Sequence, residues 1–253
     1  MERFRRLPAN PGQQRFTQEW DELASLRDEQ KSSQRDYSYH NVLKPAVLNS
    51  LQSITQSSRA QVIDIGCGTG DLAAAISVTH DVVGIDPSPK SIAIANSSTS
   101  SLFVCSSAEE YAKDHAQEYA VAVANMVLMD CPDLRELLAA IRRLLIENGS
   151  LVATITHPWG WPQYCGYETE DWFTYSDELF IESAWRISSD IEEGLPLLST
   201  HVHRPLGAYV DAATGTGFTL EKVVELGISA TGRYGQELRF AVPKFLMLQM
   251  RAS

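Results

Sequence analysis

The sequence predicts an α/β fold with a doubly wound, mostly parallel sheet. From Gln61 onward, short apolar runs alternate with segments of helical periodicity, which is typical of strand–helix–strand crossover units. Residues 62–70, VIDIGCGTG, form an apolar run that enters a glycine turn and then a helix. A second apolar run, residues 82–86, ends in Asp86, where a carboxylate could accept both hydroxyls of a ribose. These observations predict a nucleotide-type site at the carboxyl edge of the sheet.

The remaining elements follow from periodicity and from turn residues. Strands are expected near 61–65, 81–85, 102–105, 119–126 and 150–157, and helices near 71–79, 88–97, 108–115 and 133–146, the last stopping at Asn148 and Gly149. Two helices are expected before the sheet, one beginning at the Thr17 cap and one over 39–54. Residues 1–15 are expected to be mobile. Further strands are expected at 218–226 and 240–250, after a helix that ends near residue 215 or 217.

The glycine spacing is Gly-x-Gly-x-Gly and differs from the Gly-x-Gly-x-x-Gly of dinucleotide folds. With VIDIGCGTG, GIDPSP and VANMVLMDCPDL, the chain resembles the class I S-adenosylmethionine-dependent methyltransferases, in particular their small-molecule branch (type 11/12-like). The resemblance covers about residues 60–157. It implies a Rossmann-like sheet of seven strands in the order 3-2-1-4-5-7-6, with the final strand antiparallel to the others.

The resemblance also implies residues that bind the methyl donor, S-adenosylmethionine, whose product is S-adenosylhomocysteine. Asp64, Gly66 and Gly68 would line its methionine part, while Cys67 would contribute only its backbone. Asp86 would bind the ribose. The assignment of Asp86 agrees with the prediction, made from the second apolar run, of an acid that binds a ribose.

Around the adenine the chain departs from the family pattern. Pro87 would pack beside the ring, but the usual Gly-Asp-Ala-Glu signature is replaced by Ser-Ser-Ala-Glu at 106–109, so Ser107 takes the place of the aspartate. Either Ser107 accepts the hydrogen bond of the adenine amino group more weakly, or the backbone around Ala108 makes the whole contact. The backbone at Asn125 and Met126 would face the donor's amino group and the transferred methyl.

An insertion at 158–204 interrupts the alternation and is rich in acidic and aromatic residues. It follows the fifth strand and therefore lies over the carboxyl edge of the sheet, where open α/β folds bind ligands, so we interpret it as a substrate lid. A hairpin is expected within it, between 179–187 and 197–203, across a turn at 193–196. Aromatic rings and carboxylates suit an aromatic or cationic acceptor, or else the rings pack the lid and the acids keep it soluble.

Aromatic residues of the N-terminal helices and of the insertion are candidates for ligand contacts. Tyr39 is assigned to the cofactor site, because N-terminal helices cover the donor pocket in the family that the chain resembles; the alternative is an aromatic patch that packs the helices on the sheet. The residues assigned to the acceptor are Tyr37, His40, Trp159, Trp161, Tyr164 and Tyr175.

Three histidines are candidates for a general base. His157 closes the fifth strand, and a neutral imidazole near pH 7 could take a proton from a hydroxyl or an ammonium. His201 and His203 share a face of the second lid strand, as residues two apart do. The alternative for His157 is a structural hydrogen bond to the lid. No metal is expected, since a third ligand at a recognisable spacing is missing from the sequence.

Composition restricts the class of protein. The chain has 253 residues and a formal net charge of -11, which opposes nucleic-acid binding. Its four cysteines form no C-x-x-C pair, as expected for reduced thiols in a cytoplasmic protein. No apolar stretch reaches the roughly 18 residues of a membrane span, so no membrane association is expected. We expect a monomer or a homodimer.

The sequence therefore predicts a single methyltransferase domain over 1–253, composed of an N-terminal helical cap (1–58), a donor-binding core (59–157), the lid (158–204) and the C-terminal part of the sheet (205–253). It would transfer a methyl group to an O or N atom of a small, aromatic or amine-bearing metabolite, for instance in natural-product tailoring. Two alternatives remain: an NAD(P)-binding oxidoreductase, disfavoured by the glycine spacing and by the lack of a Tyr-x-x-x-Lys pair, and a non-catalytic S-adenosylmethionine-binding protein.

Overall fold

The computed structural model describes residues 4–98, 101–184, 197–227, 229–231, 237–239 and 242–253. The strands are β1 (Phe4–Arg6), β2 (Gln61–Ile65), β3 (Asp81–Asp86), β4 (Leu102–Cys105), β5 (Tyr119–Asn125), β6 (Leu145–Thr156), β7 (Leu179–Ala184), β8 (Leu198–His203), β9 (Phe218–Leu226), β10 (Ser229–Thr231), β11 (Glu237–Arg239) and β12 (Phe245–Ala252). The α-helices are α1 (Gln13–Ser32), α2 (Lys44–Thr55), α3 (Asp71–Ser77), α4 (Pro89–Ser98), α5 (Ala108–Tyr111), α6 (Leu134–Leu144), α7 (Gly160–Cys165) and α8 (Leu206–Gly215).

The central sheet has seven strands in the order β4-β3-β2-β5-β6-β12-β9. Its first five strands pair in parallel, whereas β12 is antiparallel to both β6 and β9. The α/β fold, the doubly wound order 3-2-1-4-5-7-6 and the antiparallel last strand are therefore confirmed. In such a sheet the carboxyl ends of β2, β3, β4 and β5 meet at one edge, which is where open α/β folds bind ligands.

Two hydrophobic clusters cover the two faces of the sheet, because successive side chains of a strand point to opposite faces. Ile63 packs in the cluster that contains Leu138 and Ile141 of α6. Its neighbour Val62 packs in the other cluster, with Val47 of α2 and Ile76 of α3. The continuous apolar character of β2 follows from burial on both faces.

Several boundaries differ from those expected. Helix α6 ends at Leu144 because Leu145 is already extended and pairs with Tyr119 of β5, so the stop expected at Asn148 and Gly149 is wrong. Helix α1 begins at Gln13, ahead of the expected Thr17 cap. The segment expected to be mobile includes β1, which pairs with β7. The helix expected over 39–54 begins as a π-helical turn, Tyr39–Leu43, before α2.

The lid hairpin is confirmed for its described strands, since β7 and β8 pair in antiparallel register. The turn expected at 193–196 lies outside the described residues. Strands β1, β7 and β8 form a separate three-stranded sheet. Polar side chains of α1 bind its strands β7 and β8. The carboxylate of Glu19 accepts hydrogen bonds from the backbone N–H (2.6 Å) and the hydroxyl (2.9 Å) of Thr200, while Arg15 forms an ion pair with Glu182.

Among the helices of the described residues, none combines the length and the apolar character needed to cross a membrane.

Candidate functional site

A cavity of about 330 Å³ opens at the carboxyl edge of the central sheet. Three parts of the chain enclose it: the N-terminal helices, the ends of the parallel strands, and the loop after β5 together with the lid. Its wall includes Phe16, Trp20, Lys31 and Tyr39 from the first part; Asp64, Gly66, Cys67, Gly68, Asp86, Pro87, Ser107, Ala108, Asn125 and Met126 from the second; and Asp130, Trp161, Tyr164 and His201 from the third. The structure thus brings every residue assigned to the cofactor site into one cavity.

The glycine turn after β2 has a backbone that only glycine suits. Gly66 and Gly68 have φ of +62° and +55°, in the left-handed region that side chains disfavour. A Cβ on Gly66 would lie 2.6 Å from Cγ2 of Val127, so space as well as conformation requires glycine here. The turn therefore lets the cavity reach the backbone directly.

Asp86 ties the end of β3 to this turn. One carboxylate oxygen accepts the backbone N–H of Gly68 (2.9 Å) and the other accepts the backbone N–H of Ser88 (2.8 Å). Burial raises the pKa of this carboxyl although the two amides act in the opposite direction. The side chain is held in one orientation, and each oxygen keeps a second lone pair for a hydroxyl donor.

Asp64, in β2, is only 1% exposed and its Oδ2 atom has no hydrogen-bond partner among the described residues. Burial raises its pKa to about 7, while nearby Lys31 acts to lower it. A buried carboxylate oxygen without a donor is costly, so the site is poised for a ligand that brings N–H donors or positive charge.

Lys31, at the end of α1, is a basic side chain of the cavity wall, as is Arg27, and neither was singled out from the sequence. Its Nζ atom lies 5.1 Å from the centre of the Tyr39 ring and 3.8 Å from the position that a Cβ would take on Gly68. Burial lowers its pKa, and the charge of Arg27 acts in the same direction. Its position on the helix gives no signal in the sequence, because only the tertiary fold brings α1 over the turn.

Tyr39 and His40 support this arrangement. The Tyr39 hydroxyl donates to Asp71, which also binds Lys44 (Nζ–Oδ2 2.9 Å). His40 donates through Nε2 to the backbone carbonyl of Lys31 (2.9 Å). His40 and Tyr37 are not part of the wall that the described residues form around the cavity, so His40 secures the end of α1.

Ser107, which lies between β4 and α5, already accepts a hydrogen bond within the chain. Its Oγ atom accepts the backbone N–H of Glu110 (3.2 Å) and caps α5. This cap uses one of the two lone pairs of the hydroxyl oxygen, and the other can still accept a hydrogen bond. Ser107 and the backbone around Ala108 both line the cavity, so both alternatives for the adenine contact stay open.

The end of β5 turns sharply into the cavity. Met126 has a φ of +61°, and its backbone N–H donates to the carbonyl of Thr154 (2.9 Å). The hydroxyl of Thr154 donates to Oδ1 of Asn125 (2.8 Å). These bonds to β6 hold Met126 in the left-handed region, which residues other than glycine rarely adopt.

His157 lies outside the cavity wall that the described residues form. Its Nδ1 atom accepts the backbone N–H groups of Trp159 (3.2 Å) and Gly160 (3.1 Å), and its Nε2 atom lies 3.5 Å from a carboxylate oxygen of Glu225. The lone pair of Nδ1 is thus engaged at the start of α7. This geometry favours the structural alternative for His157 over the general base.

The two lid histidines differ in position. His201 lines the cavity, and its Nε2 atom lies 3.2 Å from the hydroxyl of Tyr167. Burial and the proximity of His203 lower its pKa to about 3, so it is neutral near pH 7. His203 is buried and donates through Nε2 to the carbonyl of Tyr175 (3.0 Å), which removes it from the cavity side.

The aromatic candidates divide in the same way. Trp161 and Tyr164 line the cavity and pack on each other, with ring centres 5.4 Å apart. The Trp161 Nε1–H is buried without an acceptor among the described residues. Trp159 and Tyr175 pack on each other (5.6 Å) but are absent from the cavity wall, and Trp159 is 53% exposed.

Arg204 is fully buried and joins the lid to the loop after β5, a feature that the sequence analysis missed. Its Nη1 donates to the carbonyl of Leu128 (3.1 Å), and its Nη2 donates to the carbonyls of Cys131 (2.8 Å) and Pro132 (3.3 Å). Its Nε donates to Glu178 (2.6 Å). One side chain therefore fixes the loop that forms the third part of the cavity wall.

Known proteins are similar to this chain in sequence. Residues 34–188 match the family model described as a methyltransferase domain. A ubiquinone biosynthesis O-methyltransferase from Thiobacillus denitrificans is 37% identical over 95 residues, which is 35% of this chain and 41% of that protein. The chain spans less than half the length of the curated relatives it matches.

Solved structures agree at the level of the fold. A provisionally assigned S-adenosylmethionine-dependent methyltransferase from Listeria monocytogenes superimposes with a TM-score of 0.66 at 18% identity, over 85% of this chain and all of that one. A 1,6-didemethyltoxoflavin-N1-methyltransferase from Burkholderia thailandensis gives 0.58 at 15% identity, over 91% of this chain and 87% of that one. The family match covers more than half of the chain and agrees with the resemblance inferred from the glycine turn, so the chain belongs to the methyltransferase domain family.

Proposed function

We propose that this protein transfers the methyl group of S-adenosylmethionine to an O or N atom of a small, aromatic or amine-bearing acceptor. The observation that carries the proposal is one cavity whose wall contains both the residues assigned to the donor and a second set of acidic, aromatic and imidazole side chains. We assign these two sets to a donor end and an acceptor end. The donor end comprises Asp64, the glycine turn and Asp86. The acceptor end comprises Asp130, Trp161, Tyr164 and His201, on the loop after β5 and the lid.

The residues of the donor end fit the proposed cofactor. The unpartnered Oδ2 of Asp64 suits the amino group of its methionine part, and the Lys31 ammonium beside the turn suits the carboxylate. Asp86 presents an oriented carboxylate to the ribose hydroxyls. When bound, S-adenosylmethionine supplies a methyl group on a positively charged sulfur. The chain's task is then to hold the two reactants in line and to exclude water.

The composition of the acceptor end supports a small and partly aromatic acceptor. Trp161 offers an aromatic ring, and its Nε1–H, which has no acceptor among the described residues, offers a hydrogen-bond donor. Tyr164 lines the same part of the wall, with Nζ of Lys244 over its ring. The names of the relatives include both an O-methyltransferase and an N1-methyltransferase. We propose oxygen or nitrogen as the acceptor atom on that basis together with the polar groups at this end.

Donor binding is tested by thermal shift with S-adenosylhomocysteine and with NAD. We expect S-adenosylhomocysteine alone to raise the melting temperature. Asp86→Asn should weaken its binding about 10- to 100-fold, since hydrogen bonds to a charged group are lost. Asp81→Asn, at the other end of β3 and exposed, serves as the control and should leave binding unchanged. Stabilisation by NAD alone would contradict the proposal.

Turnover is tested separately, with methyl-labelled S-adenosylmethionine and pooled small-molecule fractions of a cell extract. Labelled product in some pools is expected for an enzyme. Donor binding without labelled product in any pool would favour the alternative of a non-catalytic binding protein.

A further inference from the structure

Asp130 is an acidic group at the acceptor end that the sequence analysis did not single out. It lies in the loop after β5, partly buried, and forms part of the cavity wall. Within the part of the chain that the structure describes, no group donates a hydrogen bond to its carboxylate. A carboxylate in such a place loses hydration without receiving a partner.

The backbone on both sides of Asp130 is fixed. The carbonyl of Met129 accepts the N–H of Val202 in the lid strand β8 (2.7 Å), and the carbonyl of Cys131 accepts Nη2 of Arg204 (2.8 Å). The carboxylate is therefore held where the loop meets the lid. It is separated by only a few residues from Met126, at the end of β5 beside the donor end.

The charged groups around Asp130 do not neutralise it. Arg204 acts to lower the pKa of its carboxyl, but that guanidinium is already bound to Glu178 and to three carbonyls. Glu19 raises the pKa and is itself engaged by Arg15 and Thr200. Burial is the largest cause, and the pKa stands well above the ordinary value.

Two further titratable side chains border this end. His201 is neutral near pH 7, and Lys244, whose pKa burial lowers to about 7, places its Nζ atom 3.3 Å from the centre of the Tyr164 ring. Beside that amine, the acceptor end offers a ligand the Asp130 carboxyl group, a neutral imidazole and the Trp161 ring. A ligand with a positively charged or N–H-rich group would supply what the carboxylate lacks, and a ring on that ligand could pack on Trp161.

We propose that Asp130 binds the amine nitrogen of the acceptor and takes up its proton before the methyl group is transferred. This inference rests on the proposed function and narrows it to N-methylation of an alkylamine that carries an aromatic ring. The partly buried position favours the neutral pair of amine and carboxylic acid over an ion pair, so the nitrogen lone pair becomes available for attack.

The step balances as follows for a primary ammonium. One N–H proton passes to a carboxylate oxygen of Asp130. The nitrogen lone pair forms the new N–C bond while the C–S bond breaks, and its electron pair stays on sulfur. The products are a methylated ammonium and S-adenosylhomocysteine, and the proton on Asp130 passes to water when the product leaves.

The test uses binding, so that it does not depend on knowing the natural acceptor. The affinities of 2-phenylethylamine and of its neutral analogue 2-phenylethanol are measured by calorimetry, with and without S-adenosylhomocysteine. We expect the wild type to prefer the amine, and Asp130→Asn to weaken amine binding about 10- to 100-fold while changing alcohol binding less than about threefold. Asp133→Asn is the matched control, because Asp133 is exposed on the same loop and Asn can also cap α6.

Each outcome has one meaning. Equal affinity of the wild type for amine and alcohol, no binding of the amine, or an amine affinity unchanged by Asp130→Asn would overturn the inference. S-adenosylhomocysteine binding is recorded for every variant and should be the same in all of them. A wild type that binds the amine through Asp130 but does not bind S-adenosylhomocysteine would instead contradict the proposed function.

Discussion

The donor end and the acceptor end of the cavity are built in different ways. At the donor end, Asp64, Gly66 and Asp86 belong to two adjacent strands and their turns, and backbone amides orient the Asp86 carboxylate. At the acceptor end, Asp130 and His201 come from distant segments joined by the buried Arg204 and by the pairing of Val202 with Met129. Local backbone geometry defines one end, and long-range packing defines the other.

The largest effect is expected from changing the turn itself. Gly66→Ala should abolish detectable binding of S-adenosylhomocysteine, a loss of at least about 100-fold, because a Cβ there meets Val127 at 2.6 Å in addition to the strain of a positive φ. Calorimetry measures the binding. Gly166→Ala is the control, since Gly166 also has a positive φ (+87°) but faces open space. Equal behaviour of the two variants would show that the close contact at the turn is unimportant.

The next effect concerns the stability of the ligand-free protein. The folded-state pKa of Asp64 is raised to about 7, so between about pH 4 and pH 7 the folded state binds more protons than the unfolded state and stability falls as pH rises. Above pH 7 the ionised Asp64 lowers the free energy of unfolding by about 4 kcal/mol, because the pKa is raised by about three units and each unit corresponds to about 1.4 kcal/mol.

Asp64→Asn should remove this pH dependence and stabilise the free protein at pH 8, while weakening S-adenosylhomocysteine binding. Urea unfolding at several pH values measures the first effect. An unchanged slope in the variant would mean that Asp64 is not the group that titrates.

Replacing Arg204, which joins the lid to the loop after β5, should lower the stability of the protein. Arg204→Met removes the guanidinium that donates to the carbonyls of Leu128, Cys131 and Pro132 and should cost about 3 kcal/mol in the free energy of unfolding. The donor end does not contain these contacts, so S-adenosylhomocysteine affinity should stay within about threefold of wild type. A collapse of donor affinity at a temperature where the variant is folded would show that the two ends are coupled.

The smallest effect is expected at His157. His157→Ala removes the acceptor for the N–H groups of Trp159 and Gly160 and should cost about 1 kcal/mol, as for the loss of a helix cap. Donor affinity should not change, and thermal unfolding with and without S-adenosylhomocysteine checks both points. A variant with unchanged stability would contradict the capping role.

Some of the candidate site could be inferred from the sequence because the signal is local. The positive φ of Gly66 and Gly68 and the carboxylate at the end of β3 depend on consecutive residues, and the periodicity of 2 or 3.6 marks the elements around them. His157 shows the limit: its place at the carboxyl end of the fifth strand was predicted, but the hydrogen bonds that it accepts from Trp159 and Gly160 were not. Hydrogen-bond partners from other elements leave no pattern in a single sequence.

What the sequence by itself determined was the α/β class, the glycine turn and the paired acids Asp64 and Asp86, since each depends on residues that are neighbours in one strand or turn. Only the tertiary structure decided which side chains close the cavity. Lys31, Asp130 and Arg204 act through segments brought together by folding. The physical reason is that burial and the absence of a hydrogen-bond donor are properties of the surroundings, which no residue specifies alone.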